Sequence, residues 1–228
     1  MADHITEEEQ IEALKRWWEE NGKQTILAIV LVVGGYFGWQ TWTDYNAEQA
    51  SAASLTYQEM LDNFDSLNPG ETLTEETQIA VNLLADKLKA EYSGTQYAVY
   101  AALTKAKLAV EANDLDAAVS ELQWAMDNAD EVSAFVARLR LARVEAARGD
   151  LDKALQLVQG IDAGEMKSAF EEAKGDFYLE QGNSAAAYTA YQSALAIEAT
   201  GDNSVRALLE LKIGLVQPVE PEEPATEQ

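Results

Sequence analysis

The stretch Gln24-Thr-Ile-Leu-Ala-Ile-Val-Leu-Val-Val-Gly-Gly-Tyr-Phe-Gly-Trp-Gln-Thr-Trp-Thr43 runs for 20 residues without a charge, between Lys23 and Asp44. A helix rises about 1.5 Å per residue, so the stretch is about 30 Å long, the hydrocarbon thickness of a bilayer. It reads as a transmembrane helix over residues 24–43. A cleaved signal peptide is the competing reading. Against it, the run is longer than an apolar signal core of about 7–15 residues, the preceding arm is rich in Glu, and Trp39 and Trp42 stand at the far end like an interfacial belt. Ala50 and Ala52 are small enough to mimic a cleavage site, but they lie well beyond the apolar run. A buried core helix is the third reading, and the length opposes it.

Lys and Arg set the orientation. Lys15, Arg16 and Lys23 stand before the span, and none follows it until Lys87. The expectation is a cytoplasmic N-terminus and an exported domain, periplasmic in a Gram-negative bacterium. Gly34 and Gly38 form a G-x-x-x-G with Gly35 beside them, a pattern that admits a second helix at close range but is also common in membrane helices generally.

Residues 1–23 read as a cytoplasmic amphipathic arm. Thr6 offers a cap with Glu9 three residues on, and Ile11, Leu14 and Trp18 share a face. Lys15, Arg16, Trp17 and Trp18 suit the headgroup level, as a juxtamembrane anchor or as a docking segment. Asn21-Gly22 is expected to end this helix before the span.

The composition excludes more than it assigns. The 185 residues after Thr43 suffice for one domain with its own core. There is no Cys and a single His, His4, so neither a disulfide framework nor a His-based catalytic site is available to the large domain. The net charge is −24, and residues 44–228 carry 13 Lys and Arg against 33 Asp and Glu. That balance opposes nucleic acid and anionic lipid as partners of the domain. No Gly-rich phosphate loop and no metal-ligand spacing occur. Glu7-Glu8-Glu9 and Glu171-Glu172 read as solvated helix faces. No catalytic residue, metal or cofactor is expected.

Beyond the span, residues 44–216 read as one helical domain. Residues 47–64 continue as helix, with Leu55, Met60, Leu61 and Phe64 on an apolar side and no Pro or Gly to separate them from the span. Asn68-Pro69-Gly70 marks a turn. Thr74 caps a second helix carrying Ile79, Leu83, Leu84 and Leu88.

Then the chain repeats. Asn113-Asp-Leu-Asp-Ala-Ala-Val119, Gly149-Asp-Leu-Asp-Lys-Ala-Leu155 and Gly182-Asn-Ser-Ala-Ala-Ala-Tyr188 start 36 and 33 residues apart, near the tetratricopeptide period of about 34. Small residues precede each turn (Ala106, Ala142, Gly175) and follow it (Ala118, Ala154, Ala187), and a larger residue comes four later (Leu122, Val158, Tyr191). The Pro that usually closes a unit is replaced by Asp130, Met166 and Ala199, and Lys105 sits where an apolar residue is usual. An ordinary helical bundle with accidental periodicity is the alternative. The fold expected is all-α: a single N-terminal transmembrane helix followed by a tetratricopeptide-like solenoid of helical hairpins. Residues 47–66 and 74–92 form its atypical first pair. Residues 203–215, with Val205, Leu208, Leu209 and Leu211, form its closing helix. Residues 217–228 hold three of the four prolines and four acids and read as a disordered tail.

The first helices of stacked pairs line a concave surface. Equivalent positions there include Tyr100, Lys107, Val136, Arg143 and Asp176. Six of the domain's 13 basic residues fall within 105–148, among them Arg138, Arg140 and Arg148 on the helix of Arg143. A groove with such a basic strip suits an acidic or C-terminal peptide; plain solubility is the alternative.

The run Glu9-Gln-Ile-Glu-Ala-Leu-Lys-Arg-Trp-Trp-Glu-Glu-Asn-Gly-Lys23, the Gly-containing span ending in Trp39 and Trp42, and Ala50-Ser-Ala-Ala-Ser-Leu-Thr-Tyr57 together resemble the YfgM family, ancillary subunits of the SecYEG translocon in Gram-negative bacteria. The resemblance covers the chain except its Pro/Glu tail. It implies a single-pass inner-membrane protein in the lipid bilayer with a periplasmic repeat domain. It also implies association with SecYEG and with the membrane-anchored periplasmic chaperone PpiD, and a role in handing nascent exported polypeptides to chaperones. It implies no catalytic residues. The rival readings are an envelope scaffold, which shares anchor and repeats but not the channel, and a stress-signalling regulator acting through the cytoplasmic arm.

Overall fold

The computed structural model describes residues 7–65, 74–198 and 203–216. The chain divides into two units, Met1–Ala52 and Ala53–Gln228. Thr6, the Asn68-Pro69-Gly70 turn and the tail at 217–228 lie outside the described residues.

The first unit is carried by helix α1 (Glu7–Asp65), which continues into the second. The expected break at Asn21-Gly22 does not occur. Asn21 turns its side-chain amide back onto the Trp17 carbonyl, at 3.1 Å, and the Trp18 ring lies over Gly22. A residue that hydrogen-bonds within the helix no longer competes with it. Along the span, Thr25, Thr41 and Thr43 donate their hydroxyls to the carbonyls of Asn21, Phe37 and Trp39 at 2.9–3.0 Å. Each of these three hydroxyls is thereby satisfied within the helix, as an apolar surrounding requires. The apolar side chains from Ile26 to Trp42 point outward and are exposed. Among the described residues, this is the one helix long and apolar enough to cross a membrane.

The second unit is a stack of antiparallel helices, with no strand among the described residues. It takes the end of α1 and then α2 (Glu75–Glu91), α3 (Gln96–Glu111), α4 (Leu115–Asn128), α5 (Glu131–Ala147), α6 (Leu151–Val158), α7 (Lys167–Glu180), α8 (Ser184–Ile197) and α9 (Asn203–Val216). Thr74 caps α2 by accepting from the Thr77 N–H. In the first pair the expected apolar side holds at Met60, Leu84 and Leu88 and fails at Leu55, Ile79 and Leu83. Ala53, Met60, Val81, Ala85 and Leu88 are buried together, whereas Leu55, Ile79 and Leu83 are exposed. In α9, Leu209 and Val216 are buried against α8, and Leu208 and Leu211 face outward. A helix has several faces, and which apolar residues go inward depends on where its neighbour lies.

The three hairpins share one turn. Asn113, Gly149 and Gly182 have φ of 57°, 86° and 78°. The next residue sends its N–H back to the carbonyl of Ala109, Glu145 or Tyr178 at 2.8–2.9 Å, closing the first helix. That same residue opens the second helix: Asp114, Asp150 and Asn183 accept from the N–H groups of Ala117, Lys153 and Ala186. Asp130, where a Pro is usual, caps α5 through the Ser133 N–H. Met166 ends a 3-10 turn, Gly164–Met166, and Ala199 lies outside the described residues.

Small residues set how closely the hairpin helices approach. Ala106, Ala118, Ala142, Ala154 and Ala187 are buried. Leu122, Val158 and Tyr191 fill the space opposite them. Where the partner is the large Tyr191, the small residue is Gly175, and a Cβ there would overlap the tyrosine ring.

Charges join the pairs. Glu145 is wholly buried between Arg148, at 2.7 Å, and Lys153, at 2.6 Å but off the line of a hydrogen bond. Arg148 also reaches Asp116 on α4 at 2.5 Å. Lys105, unexpected in a core-facing row, meets Asp86 and Glu121 at 2.5 and 3.1 Å and so ties α3 to α2 and α4.

Gly175→Ala is expected to destabilise the unit by about 1–3 kcal/mol in urea unfolding, as overpacking does, and Gly175→Ala with Tyr191→Leu to recover much of that loss. Gly149→Ala and Gly182→Ala, each with open space around the new methyl, should cost about 1 kcal/mol apiece through the left-handed backbone alone.

Candidate peptide-binding groove

Two adjoining hollows open between α3 and α5, of about 460 and 320 Å³. They share Leu103, Lys107 and Arg140 and so form one groove. Leu103, Ala106, Val110, Leu122 and Val144 give one half an apolar floor, with Lys107, Arg140, Arg143 and Glu111 around it. Tyr57, Tyr100, Thr104, Ser133 and Val136 line the other half.

The sequence makes the groove this way. On α5, Leu139, Leu141, Ala142 and Val144 are buried, which leaves Arg140 and Arg143, three apart, on the exposed face. Lys107 presents the same charge from α3. Tyr57, Tyr97 and Tyr100 cluster at the aromatic end with ring centroids 5.6–6.5 Å apart. Burial, and secondarily the neighbouring Tyr100, raises the Tyr57 hydroxyl above the ordinary tyrosine pKa, so it stays a neutral donor.

The electrostatics are unusual for so acidic a chain. Among the described residues, neither Arg140 nor Arg143 forms an ion pair. Among the same residues Lys107 makes only an exposed contact with Glu111 at 3.7 Å, a kind of pair that contributes little. The basic strip of six expected from sequence contracts, because Lys105 and Arg148 are neutralised by the acids described above. Of the other four, Lys107, Arg140 and Arg143 line the groove and Arg138 does not.

Tyr100, Lys107, Val136 and Arg143 are therefore brought together. Asp176 is not among the groove-lining residues. It accepts the Tyr191 hydroxyl at 2.7 Å and Lys212 at 2.7 and 2.9 Å, fastening α9 to α7. Arg140 and Tyr57 complete the groove. Arg140 had a signal in its spacing from Arg143; Tyr57, on another helix pair, had none. Gly34, Gly35 and Gly38 have open space around them, with Gly34 and Gly38 one turn apart on the same face. Lys15, Arg16, Trp17 and Trp18 occupy successive exposed positions, and the two indole rings are 6.4 Å apart.

The stack of helical hairpins is the architecture of a tetratricopeptide-like repeat protein, and it carries an apolar, cation-rimmed groove. The family profile described as "Tetratricopeptide repeat-like domain" matches residues 15–217. A relative in Haemophilus influenzae, named "Ancillary SecYEG translocon subunit", is 34% identical over 195 residues, 85% of this chain and 91% of its own length. One of the same name in Escherichia coli K12 is 29% identical over 214 residues, 93% and 98% of the two chains. No solved structure matches the chain. The chain belongs to the tetratricopeptide-like family of ancillary SecYEG translocon subunits.

Burial lowers the pKa of Lys212, but its hydrogen bonds to Asp176 and Glu172 more than offset this and leave it raised. Tyr191 is raised by burial and then by Asp176. The stability these groups contribute is complete below their ordinary values, 10.5 and 10.0, and is lost as pH rises through the raised ones. Helicity followed by circular dichroism should fall on alkaline titration above about pH 10. Tyr191→Phe should make the loss of stability with pH shallower.

Proposed function

We propose that this chain is a membrane-anchored binding subunit working beside the protein-export channel. Residues 24–43 hold it in the inner membrane, with the arm at 1–23 in the cytoplasm and residues 44–216 in the periplasm, the orientation that Lys15, Arg16 and Lys23 favour. Gly34, Gly35 and Gly38 offer a face for a helix of the SecYEG translocon or of a membrane-anchored chaperone of the PpiD kind. Lys15, Arg16, Trp17 and Trp18 seat the arm at the headgroups or on the channel. The groove between α3 and α5 receives an extended segment of an exported polypeptide or of that chaperone, so that emerging chains pass to periplasmic chaperones.

The observation that carries this reading is the groove itself. It joins an apolar floor to three cations in a chain whose charge is otherwise strongly negative. Its floor takes side chains of either identity, and its cations choose among segments by charge.

Co-purification in mild detergent tests the assignment. The intact chain should bring down the translocon and an exported polypeptide arrested in transit. Arg140→Glu with Arg143→Glu should keep the translocon and lose most of the arrested polypeptide. Gly34→Leu with Gly38→Leu should lose the translocon. Recovery of neither partner by the intact chain would sink the proposal.

A further inference from the structure

The polar side chains of the groove between α3 and α5 are nearly all hydrogen-bond donors in search of an acceptor. Lys107, Arg140 and Arg143 can donate but not accept. The Tyr57 and Tyr100 hydroxyls form no hydrogen bond among the described residues, and burial keeps that of Tyr57 protonated. Thr104 and Ser133 are already engaged, with the Tyr100 carbonyl at 2.8 Å and with Gln96 at 3.5 Å. Glu111, at the edge beside Lys107, is the one carboxylate among the described lining residues. An occupant that satisfies this surface brings carboxylates and carbonyls.

The floor asks for something else. Under the hollow of about 460 Å³ lie Leu103, Ala106, Val110, Leu122 and Val144, and the volume is in the range of ligand pockets, about 300–1,000 Å³. The cations stand on the two walls, Lys107 on α3 and Arg140 and Arg143 on α5. Long apolar stems carry their charges above the floor. One short segment must therefore turn large apolar side chains downward and acids upward. An extended chain does this when the two kinds alternate, because successive side chains point to opposite faces.

That alternation also says when a segment is available. In a folded protein it is a half-buried strand, its apolar side hidden in the core and its polar side in water. The apolar side can reach a groove on another chain only while its own protein is unfolded.

We propose that the groove selects extended segments of alternating acidic and large apolar residues in a polypeptide that is still unfolded after export. The apolar side chains lie on the floor, the acids meet Lys107, Arg140 and Arg143, and main-chain carbonyls accept from Tyr57 and Tyr100. The proposal rests on the groove being the binding surface of the proposed function, and it adds which segments are taken. The same alternation built with Lys is refused, since three like charges face it.

The probes are fluorescein-labelled short peptides alternating Glu with Leu, Gln with Leu, and Lys with Leu, titrated against the full chain in detergent micelles with empty micelles as the blank. The Glu peptide should bind at least about tenfold tighter than the Gln peptide, which is about 1.4 kcal/mol, and its binding should weaken with salt. A peptide of the same composition with its Glu and Leu in separate blocks should bind more weakly. Arg140→Glu with Arg143→Glu should reverse the order and favour the Lys peptide. Helicity should not change, because neither arginine forms an ion pair among the described residues. Arg140→Gln with Arg143→Gln should bring the Glu peptide down to the level of the Gln peptide. Equal binding of the Glu and Gln peptides by the intact chain, or a Glu preference that survives charge reversal, overturns the selection and leaves the groove reading standing. Binding of none of the peptides overturns both. Glu-peptide binding by a chain that recovers neither translocon nor arrested polypeptide overturns the proposed function alone. The source is read with a photoreactive residue at Thr104. It should crosslink to an arrested polypeptide that carries the Glu segment and not to one whose Glu are replaced by Lys. Crosslinking to a folded chaperone in both cases overturns the unfolded chain as occupant.

Discussion

The structure depends on how closely two helices can lie within each hairpin. Ala106, Ala142 and Gly175 on the first helices, and Ala118, Ala154 and Ala187 on the second, leave room for backbone to approach backbone. The larger residues Leu122, Val158 and Tyr191 then complete each layer. Interiors are packed to crystal-like density, so the size of one partner sets the size allowed to the other. The fullest case is Tyr191, whose ring takes the place that a side chain at 175 would need. Its hydroxyl is then carried to Asp176, where it is satisfied.

Close pairing has a consequence for the surface. A helix gripped on several sides, as α5 is, has only a narrow stripe left for solvent, and Arg140 and Arg143 occupy it. Some of the domain's acids fasten one pair to the next: Glu145 and Asp116 through Arg148, Glu121 through Lys89 and Lys105, Glu172 and Asp176 through Lys212. The cations left over at the groove are those for which the stack has no structural use. A binding surface of opposite sign to the rest of the molecule follows from this division of charges. Under the proposed function, it steers acidic segments toward the groove and keeps the remaining surface repulsive to them.

Much of the repeat architecture was readable from spacing. Asn113, Gly149 and Gly182 mark turns because each must take a left-handed conformation, and the Asp or Asn after them marks the cap. These are local requirements, and local sequence states them. The first pair was misread at Leu55, Ile79 and Leu83 because their inward or outward direction depends on α3, which the pair meets only in the folded stack. The break at Asn21-Gly22 was misread because the dipeptide has turn propensity, whereas the Asn21 amide and the Trp18 ring both support the helix.

By itself the sequence determined the uncharged 20-residue stretch at 24–43, the hairpin period, the small residues that let the pairs close and the lack of Cys and His in residues 44–228. Each follows from length, period or residue type. Tertiary structure alone decided which of the six basic residues at 105–148 remain available, and that Tyr57 joins Tyr100 and Arg140 in one groove while Asp176 is spent on holding α9. A cation's availability depends on which acids lie within about 4 Å of it, and those acids come from helices tens of residues away. Spacing along the chain carries no record of such neighbours; packing supplies them.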